Sequence, residues 1–414
     1  MLGFFLVCAL AATFTMVAHR LASTVVTPPM IFLGLGAILS VAGLIEVDLA
    51  ETLLHPVAEI TLVVLLFLDA SQIDLRALRH QHVWPMRMLL IGLPLALVFG
   101  TVAGALILPG WPLVAVALAA AILAPTDAAL GQAVVSNPAV PDRARRALTV
   151  ESGLNDGLAL PAVLFFASMI AASEATGATN WLAFATAQIL LGPIAGAAVG
   201  AAGGCVLLLA KKHNTTSEPY EGVGALALAG AAYLGATLIG GNGFISAFVA
   251  GLAFGAVVKG ACAFVYEFTE SEGQLLAWSA FLLLGAAIVP EAIAHLSWPM
   301  FALIMVSLFV IRPLAIWVSL IGTDASLRTR IFFGWFGPRG LATALFALLV
   351  VDQIVHDFAE PILHLAVNAV WISALLHGLT AAPAARWYGS REAGMAPIDA
   401  SAKPLVTKIG AQND

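Results

Sequence analysis

Two polar stretches interrupt the most apolar part of this chain and decide its fold: Thr126-Asp127, and Glu151-Ser152-Gly153-Leu154-Asn155-Asp156. Apolar residues fill positions 114–125 before the first stretch and 158–172 after the last. A charged side chain within a bilayer is costly, and membrane proteins retain such residues chiefly where ions, protons or substrates pass. The two stretches therefore predict a transport site at membrane depth.

The composition is that of a polytopic membrane protein. Apolar residues make up 61% of the 414 positions and charged residues 10%, with a mean hydropathy of +0.99. This leaves too little polar surface for a soluble globule. Apolar runs of about 20 residues, enough to cross roughly 30 Å of hydrocarbon, recur between short polar breaks. Thirteen runs are predicted to span the membrane: about 2–18, 28–45, 56–73, 86–108, 112–136, 148–172, 181–210, 222–240, 243–258, 274–290, 299–321, 331–351 and 363–384.

The distribution of basic residues predicts the orientation, because Lys and Arg favour cytoplasmic loops. With the N-terminus outside, the inner loops and the tail collect all basic residues except two, which lie within spans. Those on the inner side are Arg20, Arg76, Arg79, Arg87, Arg143, Arg145, Arg146, Lys211, Lys212, Lys259, Arg328, Arg330, Arg386, Arg391, Lys403 and Lys408. Since Arg20 follows the first apolar run, that run is predicted to be a retained span. We expect a multi-pass protein of a bacterial plasma (inner) membrane with a cytoplasmic C-terminus.

Two of the predicted spans contain helix-breaking residues. Span 5 carries Pro125-Thr126-Asp127, and span 12 carries Gly334-Trp335-Phe336-Gly337-Pro338-Arg339-Gly340. If span 7 is a linker, each break is fifth in a half of six spans, and the halves have opposite orientations. Paired interruptions in inverted halves indicate a transport site near the midplane. The alternative is that Gly and Pro merely kink packed helices. We therefore predict an all-α polytopic membrane protein of about 13 transmembrane helices, with inverted six-helix repeats and interrupted helices 5 and 12.

The carboxylates of span 6 fall on different helix faces. Ser152 and Asp156 are four residues apart and share one face, whereas Glu151 points away from it. Arg339 is the expected partner of Glu151, because an unpaired guanidinium at membrane depth is costly and a carboxylate can bind it through two hydrogen bonds. The prediction is a structural ion pair between Glu151 and Arg339, separate from the face that carries Asp156.

Asp127 and Asp69 each have two interpretations. Asp127 lies at a helix break and could either bind a cation or cap a helix, since Thr and Asp are ordinary capping residues. Asp69, near the inner end of span 3, could line the approach to the site or be a solvated helix terminus.

Three further features of the sequence give less information about fold and function. Gly192, Gly196, Gly200 and Gly204 form a smooth ridge on span 7, which suits close helix packing inside the monomer or, alternatively, a subunit interface. The nine histidines show no ligand spacing on a common helix face. No P-loop motif is present, so transport is expected to be secondary rather than driven by ATP.

Motifs throughout the chain resemble those of the monovalent cation:proton antiporters of the CPA1 branch (NhaP/NHE type). They are Phe67-Leu68-Asp69-Ala70, Ala124-Pro125-Thr126-Asp127, Glu151-Ser152-Gly153-Leu154-Asn155-Asp156, Gly243-Phe244 through Gly251, Arg312-Pro313 and the span 12 motif. The resemblance implies an NhaA/NhaP-like antiporter fold in a membrane domain of residues 1–384, with a short cytoplasmic tail at 385–414. A core bundle (about 86–172 and 299–384) would move against an interface part (about 1–73 and 181–290) in a homodimer.

The same resemblance implies the roles of the site residues. Asp156 would be the carboxylate that is alternately protonated and cation-loaded, with Asp127, Ser152 and the Thr126 backbone as ligands of Na⁺ or a similar ion. Asn155 would fix the geometry, Asp69 would match the acidic position of span 3, and Glu151 and Arg339 would match the family's ion pair. Ala128 departs from the family pattern, which usually has proline there.

The resulting prediction is a secondary antiporter of Na⁺ or Li⁺, or of K⁺, against protons, serving pH homeostasis. Exchange is expected to be electroneutral at one to one, because Asn155 supplies no second titratable group beside Asp156. No enzymatic activity, cofactor or nucleic-acid partner is expected. The alternatives are a passive monovalent cation channel and an intramembrane aspartyl protease. The protease motifs Gly-x-Gly-Asp and Tyr-Asp are absent from the sequence.

Overall fold

A computed structural model describes most of the membrane-embedded part of the chain. The described residues are 2–21, 26–73, 82–127, 130, 134, 137, 139–174, 181–258, 263–351, 354 and 356–392, and among them the regular structure is entirely helical. The side chains of Arg20 and of several other helix-end residues lie outside this set, as do Lys259, Ala128 and the tail from 393 onward.

The described part of the chain forms fifteen helices. In chain order they are α1 Leu2–Leu21, α2 Pro28–Val41, α3 Val47–Ser71, α4 Val83–Ile107, α5 Leu113–Ile122, α6 Asp142–Glu174, α7 Trp181–Lys212, α8 Glu218–Leu238, α9 Gly243–Val258, α10 Ala263–Ala287, α11 Val289–Ala294, α12 Trp298–Ser319, α13 Leu327–Trp335, α14 Leu341–Val351 and α15 His356–Glu392.

Every predicted apolar run overlaps at least one of these helices. Among the described residues, seven helices are long and apolar enough to cross a membrane, namely α3, α4, α6, α7, α8, α12 and α15. Shorter apolar helices include α2, α5, α9 and α14. The predicted interruptions explain why α5 and α14 are short. The number of thirteen crossings stays a prediction.

Both predicted helix breaks are present. Helix α5 ends at Ile122, and residues 125–127 that follow are not helical. Helix α13 ends at Trp335, and the chain resumes helical geometry only at Leu341. Because proline has no N–H and glycine adds backbone freedom, both segments favour this local opening of the helix.

A second pair of irregularities was not predicted. One turn of α4, Met88–Gly92, and one turn of α12, Ser307–Ile311, are π-helical. Each π turn is followed by a proline in the second position of the next α-helical segment, Pro94 and Pro313. Proline cannot donate to the carbonyl four residues earlier, and a wider turn is one way for a helix to accommodate that missing bond. The turn in α12 directly precedes Arg312.

The glycine ridge of α7 packs inside the protomer. A Cβ atom at Gly196 would collide with the carbonyl oxygen of Ser246, and one at Gly200 with that of Ala250, both on α9. Glycine is therefore needed for the two backbones to approach this closely. The intramolecular interpretation of this ridge agrees with the structure.

The last helix extends past the predicted end of span 13. Helix α15 continues to Glu392, and Tyr388 near its end is fully buried. The Tyr388 ring stacks on Phe332 at 4.1 Å between centroids, and its hydroxyl lies 3.0 Å from Thr329 Oγ1. Packing against α13 thus holds residues beyond position 384 in the helical domain.

Candidate functional site

The two helix breaks lie against each other. The backbone N–H of Asp127, in the break of span 5, donates to the carbonyl of Pro338, in the break of span 12, at 2.8 Å. Backbone groups freed by a broken helix must find partners inside the bilayer. Here each break supplies a partner for the other, which brings the two polar motifs to one place.

The Asp127 carboxylate caps the helix that follows the other break. Its Oδ2 accepts from the backbone N–H of Leu341, the first residue of α14, at 2.8 Å. Its Oδ1 accepts from the N–H of Leu130 at 3.3 Å. Helix N-termini present unsatisfied N–H groups and a partial positive charge, so a carboxylate is favoured there. Asp127 therefore caps a helix, as one of its two interpretations predicted. The residue that it caps lies 214 positions further along the sequence.

Gly340 is required beside this cap. A Cβ atom at that position would collide with the Asp127 carboxylate. Only glycine lets the backbone of span 12 come close enough for the Leu341 N–H to reach Asp127.

Arg339 binds the carbonyl groups that follow the C-terminal end of α5. Its guanidinium is fully buried and donates from Nη1 to the carbonyls of Ala124 and Pro125, at 2.8 and 2.9 Å. Nη2 lies 3.4 Å from Ser307 Oγ. A cation is favoured at a helix C-terminus, where the last carbonyls lack intrahelical donors. Arg339 therefore neutralises the end of the broken span 5.

The predicted ion pair between Glu151 and Arg339 is wrong. Glu151 pairs instead with Arg312, whose Nη1 and Nη2 donate to Oε1 and Oε2 at 2.6 and 3.0 Å. Both side chains are at most 5% exposed. Arg339 is already occupied by the carbonyls of the broken helix, which sequence reasoning did not count as a partner. Arg312 also donates to the Phe336 carbonyl at 3.3 Å, so it serves the second break as well.

Thr126, in the break of span 5, contacts three polar residues of α6. Its hydroxyl oxygen accepts from Asn155 Nδ2 at 2.5 Å. The same hydroxyl lies 3.4 Å from Glu151 Oε2 and 3.5 Å from Ser152 Oγ. Thr126, Asn155 and Glu151 are buried to 98% or more of their surface, since their exposure is 1, 1 and 2%. The structure therefore brings together the residues that the sequence placed in two separate motifs.

Two buried acceptor atoms in this cluster have no hydrogen-bond donor within the described residues: Asp156 Oδ1 and Asn155 Oδ1. Buried polar atoms are nearly always paired, so such an atom in a native structure requires an explanation, for example a bound ion. Oxygen atoms of carboxylate, amide and hydroxyl groups are the ligands that alkali and other hard cations prefer. The donor set thus fits a small cation.

Asp69 of α3 reaches the same region. A Cβ atom at Gly153 would lie 3.8 Å from the Asp69 Cβ, an ordinary contact distance. Asp69, Asp127 and Glu151 all act electrostatically on Asp156. A cluster of carboxylates favours a bound cation at this place.

Sequence reasoning missed three residues that support the span 12 break: Arg312, Ser373 and His377. Ser373 Oγ accepts from the backbone N–H of Arg339 at 2.7 Å and lies 3.0 Å from His377 Nδ1. His377 Nε2 lies 3.0 Å from the Trp335 carbonyl, the last of α13. His377 Nδ1 also lies 3.0 Å from the Ser373 carbonyl, so both ring nitrogens of this buried histidine face polar groups. The available signal was a second arginine and a histidine inside predicted spans.

Comparison with known proteins gives the same fold and a family. A family model described as sodium/hydrogen exchanger, transmembrane, matches residues 6–387. The chain is 26% identical to the K(+)/H(+) antiporter NhaP of Alkalimonas amylolytica over 300 residues, 70% of this chain and 51% of that protein. It is 28% identical to Na(+)/H(+) antiporter 1 of Methanocaldococcus jannaschii over 175 residues, 38% of this chain and 41% of that protein. The chain spans about half the length of the curated relatives it matches.

A solved structure shares the architecture. The sodium proton antiporter MjNhaP1 of Methanocaldococcus jannaschii, at pH 8, superimposes with a TM-score of 0.73 at 22% identity. The match covers 93% of this chain and 96% of that one.

Proposed function

Because the chain belongs to the sodium/hydrogen exchanger family, which is a family of membrane transporters, we propose that it exchanges protons for monovalent cations across the membrane. It would work as a secondary antiporter with Asp156 as the carboxylate that carries either ion. The related proteins named above are K⁺/H⁺ and Na⁺/H⁺ antiporters, which supports this reaction type.

The observation that carries the proposal is a pair of buried oxygens, Asp156 Oδ1 and Asn155 Oδ1, that have no donor among the described residues. They lie in the cluster formed where the two broken spans meet α6. Discontinuous helices that meet near the midplane are the usual location of substrate and coupling-ion sites in secondary transporters. Unpaired carboxylate and amide oxygens of this kind attract cations.

In the proposed mechanism one carboxylate binds two competing ions. Asp156 within the bilayer is costly as an anion, so either a proton or a cation must neutralise it before the core can move. The cation would be held by Asp156, with Ser152 and Thr126 as further oxygen ligands. Asp127 would contribute from the lone pairs that remain beside its two backbone hydrogen bonds, since each carboxylate oxygen can accept more than one donor.

The packing of the helices supports a two-part movement. Helices α2, α3, α7, α8, α9 and α10 contact each other extensively, and α4, α5, α6, α12, α13, α14 and α15 do likewise. We propose that the second group is the moving core and the first the interface part of a homodimer. The matched breaks and the matched π turns of α4 and α12 support the inverted repeat.

We further propose that exchange is electroneutral, one proton for one cation. Asn155 supplies an amide beside Asp156, whereas an aspartate would add a second titratable group. A cycle that moves net charge would feel about 2.3 kcal/mol per 100 mV. The end point of electroneutral exchange should therefore depend on the ion gradients alone.

The test is transport in proteoliposomes with a trapped pH dye. Addition of Na⁺, Li⁺ or K⁺ should drive protons in the opposite direction, and the comparison of the three ions gives the selectivity. Cation flux without proton counterflow would indicate a passive channel instead. For the stoichiometry, the reversal point of Na⁺ exchange is measured at potentials set by K⁺ and valinomycin, and a reversal point that shifts with voltage would contradict one-to-one exchange.

A further inference from the structure

A second group of ligating side chains lies away from the cluster at Asp156. Glu291 and His295 are on and just after the short helix α11, and His364 is in the third turn of α15. One ligand atom from each of the three lies within 4.8 Å of the others. These residues lie at the end of the protein that the distribution of basic residues predicts to be outside.

The backbone under this group is fixed. Asn368 is buried and donates from Nδ2 to the Ala292 carbonyl of α11 at 2.6 Å and to the His364 carbonyl at 2.8 Å. This side chain joins α11 to α15 directly between the ligating residues. The positions of Glu291 and His364 relative to each other are thus determined by the fold rather than by a loop.

A hydrogen bond indicates which ring nitrogen of His295 carries the proton. Its Nδ1 lies 3.0 Å from the Glu291 carbonyl oxygen and must carry the proton to make that bond. A metal-ligating histidine typically donates its other ring N–H to a carbonyl or carboxylate in this way. The Nε2 of His295 is therefore left with a free lone pair. His364 Nε2 is 3.9 Å from Glu291 Oε1, so this second nitrogen faces the carboxylate.

We propose that Glu291, His295 and His364 bind a divalent transition metal of the Zn²⁺ class. Two imidazole nitrogens and one carboxylate oxygen suit Zn²⁺, Co²⁺ or Ni²⁺, whereas Ca²⁺ and Mg²⁺ require mainly oxygen ligands. At metal–ligand bonds of about 2.0–2.2 Å the three atoms would be roughly 3.5 Å apart. They must therefore approach each other on binding.

The side chains can make this movement. The Glu291 side chain is 53% exposed and His295 is exposed, whereas the His364 side chain is 8% exposed and held by its surroundings. The two imidazole rings are now nearly parallel, with 5.1 Å between centroids and 13° between planes. His295 would turn so that its Nε2 and that of His364 point at one ion, with water completing the coordination.

A metal at this position would act as a brake on transport, a consequence that rests on the proposed function. Helix α11 lies between α10, in the proposed interface part, and α12, in the proposed core. A metal ion would tie α11 more firmly to α15 of the core. If the two parts move against each other, the connection between them would lose freedom, and metal added on that side should slow exchange.

Binding is measured first, on the purified full chain in detergent, with Co²⁺ absorption and Zn²⁺ calorimetry. Wild type should bind one metal ion per chain, and His295→Ala and Glu291→Gln should each weaken binding at least about tenfold, because loss of even a residue that only supports a ligand typically costs about 10–100-fold. His213→Ala removes an exposed histidine elsewhere and should bind as wild type. His364→Gln removes the buried ligand while still filling its space, and it should weaken metal binding as well. Absence of binding, or equal binding by wild type and His295→Ala, would overturn the site.

The brake is measured in proteoliposomes. Zn²⁺ should slow exchange by wild type and by His213→Ala, and His295→Ala should relieve this inhibition. Equal inhibition of His295→Ala and wild type would overturn the brake while the binding result stands. Because metal binding does not depend on transport, failure of the proposed exchange activity would be distinguishable from failure of the metal site.

Discussion

Asp127 and Arg339 each stabilise the helix end that the other residue's span leaves open. Asp127 accepts from the N–H of Leu341 after the span 12 break, and Arg339 donates to the Ala124 and Pro125 carbonyls before the span 5 break. Neither charge therefore needs a charged partner to be tolerated. The opposed partial charges of the helix ends neutralise both.

Glu151 and Arg312 should be strongly coupled in stability. Removing one member of a buried pair typically costs about 3–5 kcal/mol, because the other charge is left unpaired. We expect Glu151→Gln and Arg312→Gln each to lower the thermal stability of the detergent-purified protein, and the double variant to lose much less than the sum. The coupling is compared with that in a second double-mutant cycle, made from Glu151→Gln and Arg339→Gln. A larger coupling with Arg339 than with Arg312 would contradict the pairing described above.

Asp156→Asn should abolish exchange in a protein that still folds, since it removes the titratable charge at almost constant volume. Asp127→Asn should be nearly as inactive while one amide oxygen keeps the cap on Leu341. Dye dequenching in proteoliposomes measures both, with the exposed Asp48→Asn as the control that should keep wild-type exchange. Wild-type rates in Asp156→Asn would remove this residue from the mechanism.

Gly340→Ala should disturb the helix cap made by Asp127 without removing any charge. The added methyl group would collide with the Asp127 carboxylate, and such overpacking typically costs about 1–3 kcal/mol. We expect reduced thermal stability and loss of exchange, although no charged residue is altered. Gly230→Ala on α8 is the matched control, because a Cβ atom there meets nothing within 4 Å. Unchanged exchange in Gly340→Ala would show that this close approach is dispensable.

Asp324, in the loop between α12 and α13, should contribute stability with a defined pH dependence. Hydrogen bonds from Arg143, at 2.5 and 3.0 Å, and from Trp84, at 2.8 Å, hold the pKa of this carboxyl below its ordinary value despite some burial. Since the pKa is lower in the folded protein, the stabilisation is complete above the unfolded-state value of about 3.9 and is lost as the pH falls through the folded value.

Asp324→Asn should therefore be less stable than wild type at neutral pH, with the difference shrinking as the pH falls below about 4 and vanishing below the folded-state pKa. The Asp324 side chain is 58% exposed and that of Arg143 is 26% exposed, so water screens the pair and the loss should be at most about 1 kcal/mol. Thermal unfolding across pH measures it, and Arg143→Ala should show the same convergence. A difference between Asp324→Asn and wild type that persists in acid would point to lost packing instead of lost charge.

The helix breaks could be predicted from the sequence because their causes are local. Proline and glycine at 125 and 334–340 disfavour a continuous helix whatever surrounds them. The joint site of the span 5 and span 6 motifs was predicted from polar and charged residues inside apolar runs. Local chemistry therefore indicated the two motifs, whereas the individual roles of Ser152, Asn155 and Asp156 were implied by the family resemblance.

The partners of the buried arginines could not be predicted in this way. Sequence reasoning matched Arg339 with Glu151 because it considered only side chains as partners. In the structure the Arg339 guanidinium instead donates to the backbone carbonyls of Ala124 and Pro125. The π turn before Arg312 was likewise unpredicted, although Pro313 was visible as its cause. His295 and His364 come together only through the packing of α11 on α15, which no spacing within one helix reveals.

The contacts between the two breaks have a consequence for biosynthesis. The ribosome delivers Asp127 and Glu151 to the membrane long before Leu341 and Arg312, which follow them by 214 and 161 residues. Until the later segments insert, the first half must hold two carboxylates and an open helix end without their final partners. Such long-range dependence favours slow maturation and a period of vulnerability to quality control. A truncated chain that lacks the second break should therefore be degraded rather than accumulate as a stable half.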